Sequence, residues 1–204
     1  MSSEPIRDPE TDHLLTPANA ALVVIDYQPV QVASIRSMDR EALVKNVVTV
    51  VKVAKAYGLP IVLSTVNVKT GVNKPTVAPL AEALGDVPSL DRTTINSWED
   101  VEVRAAIEAT GRRKLILCAL WTEACLLFPS LDVMALGYEV FVPVDAVGGT
   151  SSLAHEAALR RVEQAGARLT SIASLLCELQ RDWARKDTVP SFADLLFHRH
   201  LGLA

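Results

Sequence analysis

The feature that most constrains this chain is the run Ala21-Leu22-Val23-Val24-Ile25, an unbroken aliphatic segment that ends on Asp26. A strand with one face in water alternates apolar and polar residues, whereas a run with no polar position is covered on both faces. Such a strand belongs at the centre of a parallel sheet, with helices above and below it. The rest of the chain supplies them in alternation. Asp39 to Tyr57 has apolar residues at helical spacing, with Asp39 as N-cap and Gly58 as the stop. Leu59 to Val66 reads as a second strand, and Asn67 to Asp91 as a long excursion holding one helix near Val77 to Leu84. Glu99 to Ala109 is an amphipathic helix ended by Gly111. Strand Leu115 to Leu120 and helix Glu123 to Leu136 follow, then strand Tyr138 to Val144, ending on Asp145. Ser151 to Ala165 is a helix with Ser152 as N-cap. Ala167 to Thr170 is a last short strand, and a helix runs from Ile172 to about Trp183. The pattern predicts an α/β fold, a mostly parallel sheet with helices on both faces.

Bulk properties narrow the function. The 204 residues, half of them apolar, suit a single domain with a sizeable core. A net charge of −4 without a basic stripe argues against nucleic-acid binding. No apolar run is long enough to cross a bilayer, and the polar stretch Met1 to Leu15 has no signal-peptide core. Three widely spaced cysteines make no disulfide framework and fit a reducing, cytoplasmic setting. Residues 1–18 read as a flexible or partner-docking arm. The tail, 185–204, carries an apolar stretch, Phe192 to Phe197, expected to pack on a neighbouring subunit of a homo-oligomer.

Two reactive side chains fall at predicted strand ends, Asp26 and, after a short polar break, Cys125. Ligands bind at that edge of an open α/β sheet, and strand ends converge there from distant parts of the chain. A helix N-terminus favours a thiolate at Cys125, and a carboxylate beside it serves as general base and then acid. Arg92 is the candidate cation, with Lys69 and Lys74 as less favoured substitutes. Cys118, mid-strand, and Cys177, on the inner face of its helix, read as buried structural thiols. Trp98 and Trp121 are placed to line a pocket, and Asn96 either orients substrate or caps the helix beginning near Ser97. Glu123, Asp145 and His155 read as supporting residues.

Val23-Val24-Ile25-Asp26-Tyr27-Gln28 resembles the first motif of the isochorismatase-like cysteine hydrolases, and Ala119-Leu120-Trp121-Thr122-Glu123-Ala124-Cys125-Leu126 resembles their nucleophile motif. Gly137-Tyr138-Glu139-Val140 with Val144-Asp145-Ala146 is similar to the block that follows. Within the family, Ile95-Asn96-Ser97-Trp98, Ala146 to Ser151, Ala154-His155-Glu156 and Glu178 to Trp183 look most like the YcaC-like hydrolases. The resemblance implies a three-layer α/β/α sandwich around a Rossmann-like sheet of roughly six strands. It implies a catalytic triad in which Asp26 is the acid/base, Cys125 the nucleophile, and Arg92 stands where the family has lysine. Arginine does not release its proton, so its part is electrostatic. The resemblance further implies a non-proline cis peptide at Leu120-Trp121, which would turn the N–H groups of Trp121 and Cys125 into an oxyanion site. Gln28, Asn96, Trp98 and Trp121 would contact a small-molecule substrate. The nicotinamidases of the superfamily carry an Asp-x-His and a later His for a metal. Here that region has no histidine, and His13, His155, His198 and His200 lack ligand spacing, so no metal and no cofactor is expected. The implied activity is hydrolysis of a small amide through a thioester, in a homo-oligomer such as an octamer. The competing readings are a catalytically retired or ligand-binding oligomer and vinyl-ether hydrolysis of the isochorismatase type.

Overall fold

β1 (Ala20–Ile25) is buried along its whole length at the centre of a six-stranded sheet in the computed structural model, which describes residues 7–203. The other strands are β2 (Ile61–Val66), β3 (Ser89–Arg92), β4 (Lys114–Ala119), β5 (Glu139–Pro143) and β6 (Arg168–Thr170). They lie in the order β3-β2-β1-β4-β5-β6, and every neighbouring pair is parallel. From β1 the chain builds outward to β2 and β3, then returns to place β4 on the other side of β1. That reversal puts a topological switch between the C-terminal ends of β1 and β4, where Ile25 pairs with Ala119.

Alternate residues of β1 feed two separate cores. Ala20, Leu22 and Val24 face a layer built on α2 (Arg40–Ala56), α3 (Ala78–Leu84) and α7 (Ile172–Gln180). Ala21, Val23 and Ile25 face α4 (Val101–Ala109), α5 (Leu127–Ala135) and α6 (Ser152–Gln164). The three-layer architecture follows from that division. Asp39 caps α2 by accepting from the Ala42 N–H, and Gly58 takes φ +66° just past its end, as anticipated.

The structure corrects some details and adds others. Ser89–Arg92, absorbed into the excursion by the sequence reading, is the edge strand β3; its short polar sequence hides it. The helix after β4 begins as a π-helical turn, Thr122–Leu126, before α5. Ser151, not Ser152, caps α6, accepting from Ala154 N–H. Cys177 is exposed on the outer side of α7. In the tail, α8 (Val189–Ala193) and a second π-helical turn, Asp194–His200, bring Phe192, Leu195 and Leu196 into the chain's own core. Residues 1–6 of the expected arm lie outside the described residues. Its remainder is pinned to the same chain, since Asp12 pairs with Arg7 at 3.0 Å and with Arg181 at 3.0 Å, and Glu178 accepts from Leu15 N–H at 2.8 Å. Among the described residues no helix is long and apolar enough to cross a membrane.

Candidate active site

Asp26 follows the last residue of β1 and has no exposed surface. Its φ is +64°, a region that side-chain-bearing residues rarely occupy and that surrounding contacts must enforce. Its N–H donates to Ser64 of β2 at 3.0 Å. Its carboxylate receives both terminal nitrogens of Arg92 in a fork, Nη1 to Oδ1 and Nη2 to Oδ2, each at 2.7 Å. Arg92 is the last residue of β3, two strands away, so its side chain reaches across β2. It donates on the way to Ser64 Oγ at 3.2 Å and Thr65 O at 3.1 Å, and beyond to Ile95 O at 3.2 Å. Both side chains of the pair are fully enclosed. Burial by itself pulls the guanidinium pKa down, but the Asp26 carboxylate overrides this and raises it, so the cation is permanent. Lys69 and Lys74 are exposed and stand outside this arrangement.

Cys125 lies in the π-helical turn after β4, so the switch point brings it to Asp26. Its thiol is acted on by the Asp26 carboxylate, by Arg92 and by the Trp121 N–H. Burial pushes the thiol pKa up, and the charge and hydrogen bond of Asp26 push it further, to about 12, against the opposing pull of Arg92 and Trp121 N–H. The expectation of a helix-favoured thiolate is therefore corrected. The dipole term is at most about 2 kcal/mol and fades within a turn, which is less than burial beside a carboxylate costs the anion. The resting group is a thiol whose proton faces a base. The Leu120-Trp121 peptide is cis, as the resemblance implied.

The turn carrying Cys125 is braced from the loop after β5. Thr122 N–H donates to Gly148 O at 2.9 Å, and Thr122 Oγ1 meets His155 Nδ1 at 2.8 Å. Burial lowers the His155 pKa, with Glu123 and Glu156 pulling the other way, so the imidazole is neutral at physiological pH. Glu123 accepts from Thr150 N–H at 2.9 Å and from Thr150 Oγ1 at 2.5 Å. A Cβ at Gly149 would sit 2.6 Å from Glu123 Oε2 and 3.0 Å from His155 Cβ, so a side chain there would displace the Glu123 carboxylate and press on His155. Glu123 and His155 are thus the supports expected of them. Asp145, accepting twice from Ile172 N–H at 3.2 and 3.0 Å, ties β5 to α7 in the same way.

The residues expected to contact substrate divide differently. Gln28 is fully buried and spends every polar atom on backbone: Nε2 donates to Val66 O at 3.1 Å and Lys74 O at 2.6 Å, and Oε1 accepts from Val66 N–H at 2.9 Å. Its expected substrate contact gives way to bracing the loop after β2. Asn96 caps the 3-10 turn Ser97–Glu99 by accepting from Trp98 N–H at 3.1 Å, and donates to Asp132 of α5 at 2.7 Å, so of its two readings capping holds. Trp98 is buried edge-to-face on Tyr138, ring centroids 6.0 Å apart, in the cluster that includes Cys125. Trp121 is half-buried and donates its indole N–H to Ser34 at 2.5 Å. Ser34 and Ser64 escaped the sequence reading. Ser64 had a signal, a hydroxyl breaking the apolar run Ile61-Val62-Leu63 near a strand's C-terminal end. Among the described residues no cluster of three His, Cys, Asp or Glu has the arrangement of a metal site.

Comparison with known proteins places this geometry. The family model described as the Isochorismatase domain matches residues 20–174. A curated relative, the probable hydrolase YcaC of Escherichia coli strain K12, is 33% identical over 184 residues, 90% of this chain and 86% of that one. The solved structure of YcaC from Pseudomonas aeruginosa with hexane-2,5-diol and covalent acrylamide is 32% identical, covers 94% of each chain and superposes with a TM-score of 0.87. The E. coli YcaC structure, described as an octameric hydrolase of unknown specificity, is 30% identical with a TM-score of 0.80, over 95% of this chain and 97% of that one.

Proposed function

The chain belongs to the isochorismatase-domain family, and from that premise we propose that it is a hydrolase that opens a small amide-type C–N bond through a thioester on Cys125. The observation that carries the reading is one carboxylate, Asp26, held by a buried guanidinium on one side and acting on the Cys125 thiol on the other. Asp26 takes the Cys125 proton as sulfur attacks the carbonyl carbon. The N–H groups of Trp121 and Cys125 receive the developing oxyanion. The protonated Asp26 then gives its proton to the departing amine, which breaks the C–N bond. Water, deprotonated by Asp26, adds to the thioester carbon; the acid leaves and the thiol is restored. Arg92 does not move a proton; it keeps Asp26 in place and its charge balanced.

The thiol's raised pKa supports this order of events, because the proton leaves sulfur only when a substrate carbon takes up the electron pair. The P. aeruginosa relative, whose structure carries covalent acrylamide, supports access of a small amide to such a site. The octamer described for E. coli YcaC supports a homo-oligomer here. Three free cysteines support a reducing, cytoplasmic location. The test is a screen of small amides with mass spectrometry of the stalled enzyme. An acyl adduct on Cys125 and no turnover by Cys125→Ala are expected; full turnover by that variant would exclude covalent catalysis. Light scattering giving a monomer would refute the oligomer.

A further inference from the structure

Around the reacting thiol, the polar side chains are already committed within the protein. Both terminal nitrogens of Arg92 are spent on Asp26, Ser64, Thr65 and Ile95. The Gln28 amide, the Asn96 amide and the Trp121 indole N–H are bonded to Val66 and Lys74, to Trp98 and Asp132, and to Ser34. The buried Arg92 cation is neutralised by the buried Asp26 carboxylate that it grips. Uncommitted buried atoms on the segment from Arg92 to Ser97 are the Thr94 and Ser97 hydroxyls and the Arg92 Nε–H. Hydroxyls suit a neutral oxygen or nitrogen. A carboxylate at Nε would stand beside Asp26, a like charge in a buried setting, and the Arg92 charge it meets is already balanced by Asp26.

Resting on the hydrolase reading above, we infer that the site accepts an acyl group that carries no carboxylate: a small neutral amide enters beside Cys125, and its carboxylate-bearing analogue is turned away. Recognition then falls to backbone N–H groups and aromatic faces, and selectivity comes from the electrostatic penalty on the wrong substrate rather than from a dedicated contact to the right one.

The chain supplies its own reference for a test, because Cys177 is exposed and far from the Asp26–Arg92 pair in sequence and on another layer of the fold. Iodoacetamide and iodoacetate have nearly the same size and differ by one charge. Both displace iodide with the cysteine sulfur, and the thiol proton passes to a base. The full chain is treated with each, and adducts at Cys125 and Cys177 are counted by peptide mass spectrometry. The amide-to-acid rate ratio at Cys125 is expected to exceed that at Cys177 by about a hundredfold, the effect of an unscreened like charge at close range. Equal ratios at the two cysteines would overturn the inference while leaving Cys125 a reactive nucleophile. Labelling of Cys177 by both reagents and of Cys125 by neither would overturn the nucleophile reading, and this inference with it. A matched pair of substrates, propionamide and succinamate, extends the test to turnover: kcat/KM for the acid within tenfold of that for the neutral amide would also overturn it.

Discussion

Replacing Arg92 by methionine removes the cation that, among the described residues, pairs with the fully buried Asp26 carboxylate. Asp26 loses two charge-assisted hydrogen bonds of 2.7 Å, and Ser64, Thr65 and Ile95 lose a shared donor. Removing one partner of a buried ion pair costs about 3–5 kcal/mol, because the charge left behind is neither solvated nor paired. For a domain of this length that corresponds to roughly 6–20 °C in Tm. Urea denaturation followed by circular dichroism reads it directly, with a lower midpoint and unchanged slope. Arg92→Lys keeps the charge but not the fork and is expected to cost less, about 1–3 kcal/mol. The double variant Asp26→Asn/Arg92→Met leaves no buried charge and is expected to recover at least about 2 kcal/mol of the single variant's loss. If Arg92→Met stayed within about 1 kcal/mol of the parent, or if the double variant were less stable than the parent by the sum of the two single losses, the pair would not be what holds Asp26 in place.

Other outcomes follow from the same contacts. Thiolate absorbance measured against pH on the parent and on Cys125→Ala should show no Cys125 ionisation below about pH 10, since burial and Asp26 hold it near 12. Gln28→Ala should lower stability by about 2–3 kcal/mol through the loss of its backbone bonds and leave KM for a small amide unchanged; a raised KM with intact stability would restore Gln28 to substrate binding. Burial raises the pKa of Asp12, but Leu14 N–H, Arg181 and Arg7 outweigh it and bring it from 3.8 to about 2. Its stabilisation is therefore complete above the unfolded value and is lost as pH falls through the folded one. The stability gap between the parent and Asp12→Asn should narrow between about pH 4 and pH 2, and a gap constant over that range would contradict the pairing.

How far the site was legible depended on whether a residue's role is set locally or across the sheet. Asp26 and Cys125 could be found because each is tied to the end of an aliphatic run, and a run buried on both faces marks a central strand. β3 could not, because a four-residue polar edge strand lacks the apolar signature that identifies β1 and β4. Arg92 was consequently reached as a loop cation, although it is a strand-end residue whose partner lies two strands away. The exposure of Cys177 was readable and was misread: Ile172, Leu175, Leu176 and Leu179 form the buried stripe at helical spacing, and position 177 falls off it. The ionisation of Cys125 was not readable, since the helix dipole is a sequence-local effect while burial and the Asp26 charge come from the fold.

The last of these differences bears on why arginine serves where the resemblance leads one to expect lysine. A carboxylate has two oxygens, and a single ammonium held between them would leave Asp26 free to pivot. The guanidinium fork takes both oxygens at equal distance and is itself anchored on β2 and on the loop at Ile95. Asp26 is then fixed in orientation and still has lone pairs for the Cys125 proton. A base held this rigidly meets a thiol that does not ionise on its own, so the proposed chemistry depends on geometry at the moment of attack more than on a standing thiolate. On that reading Arg92→Lys should affect kcat more than stability: the charge remains, the orientation of Asp26 is loosened, and a kcat falling by less than the few-fold that stability alone would explain would argue that the fork contributes nothing beyond its charge.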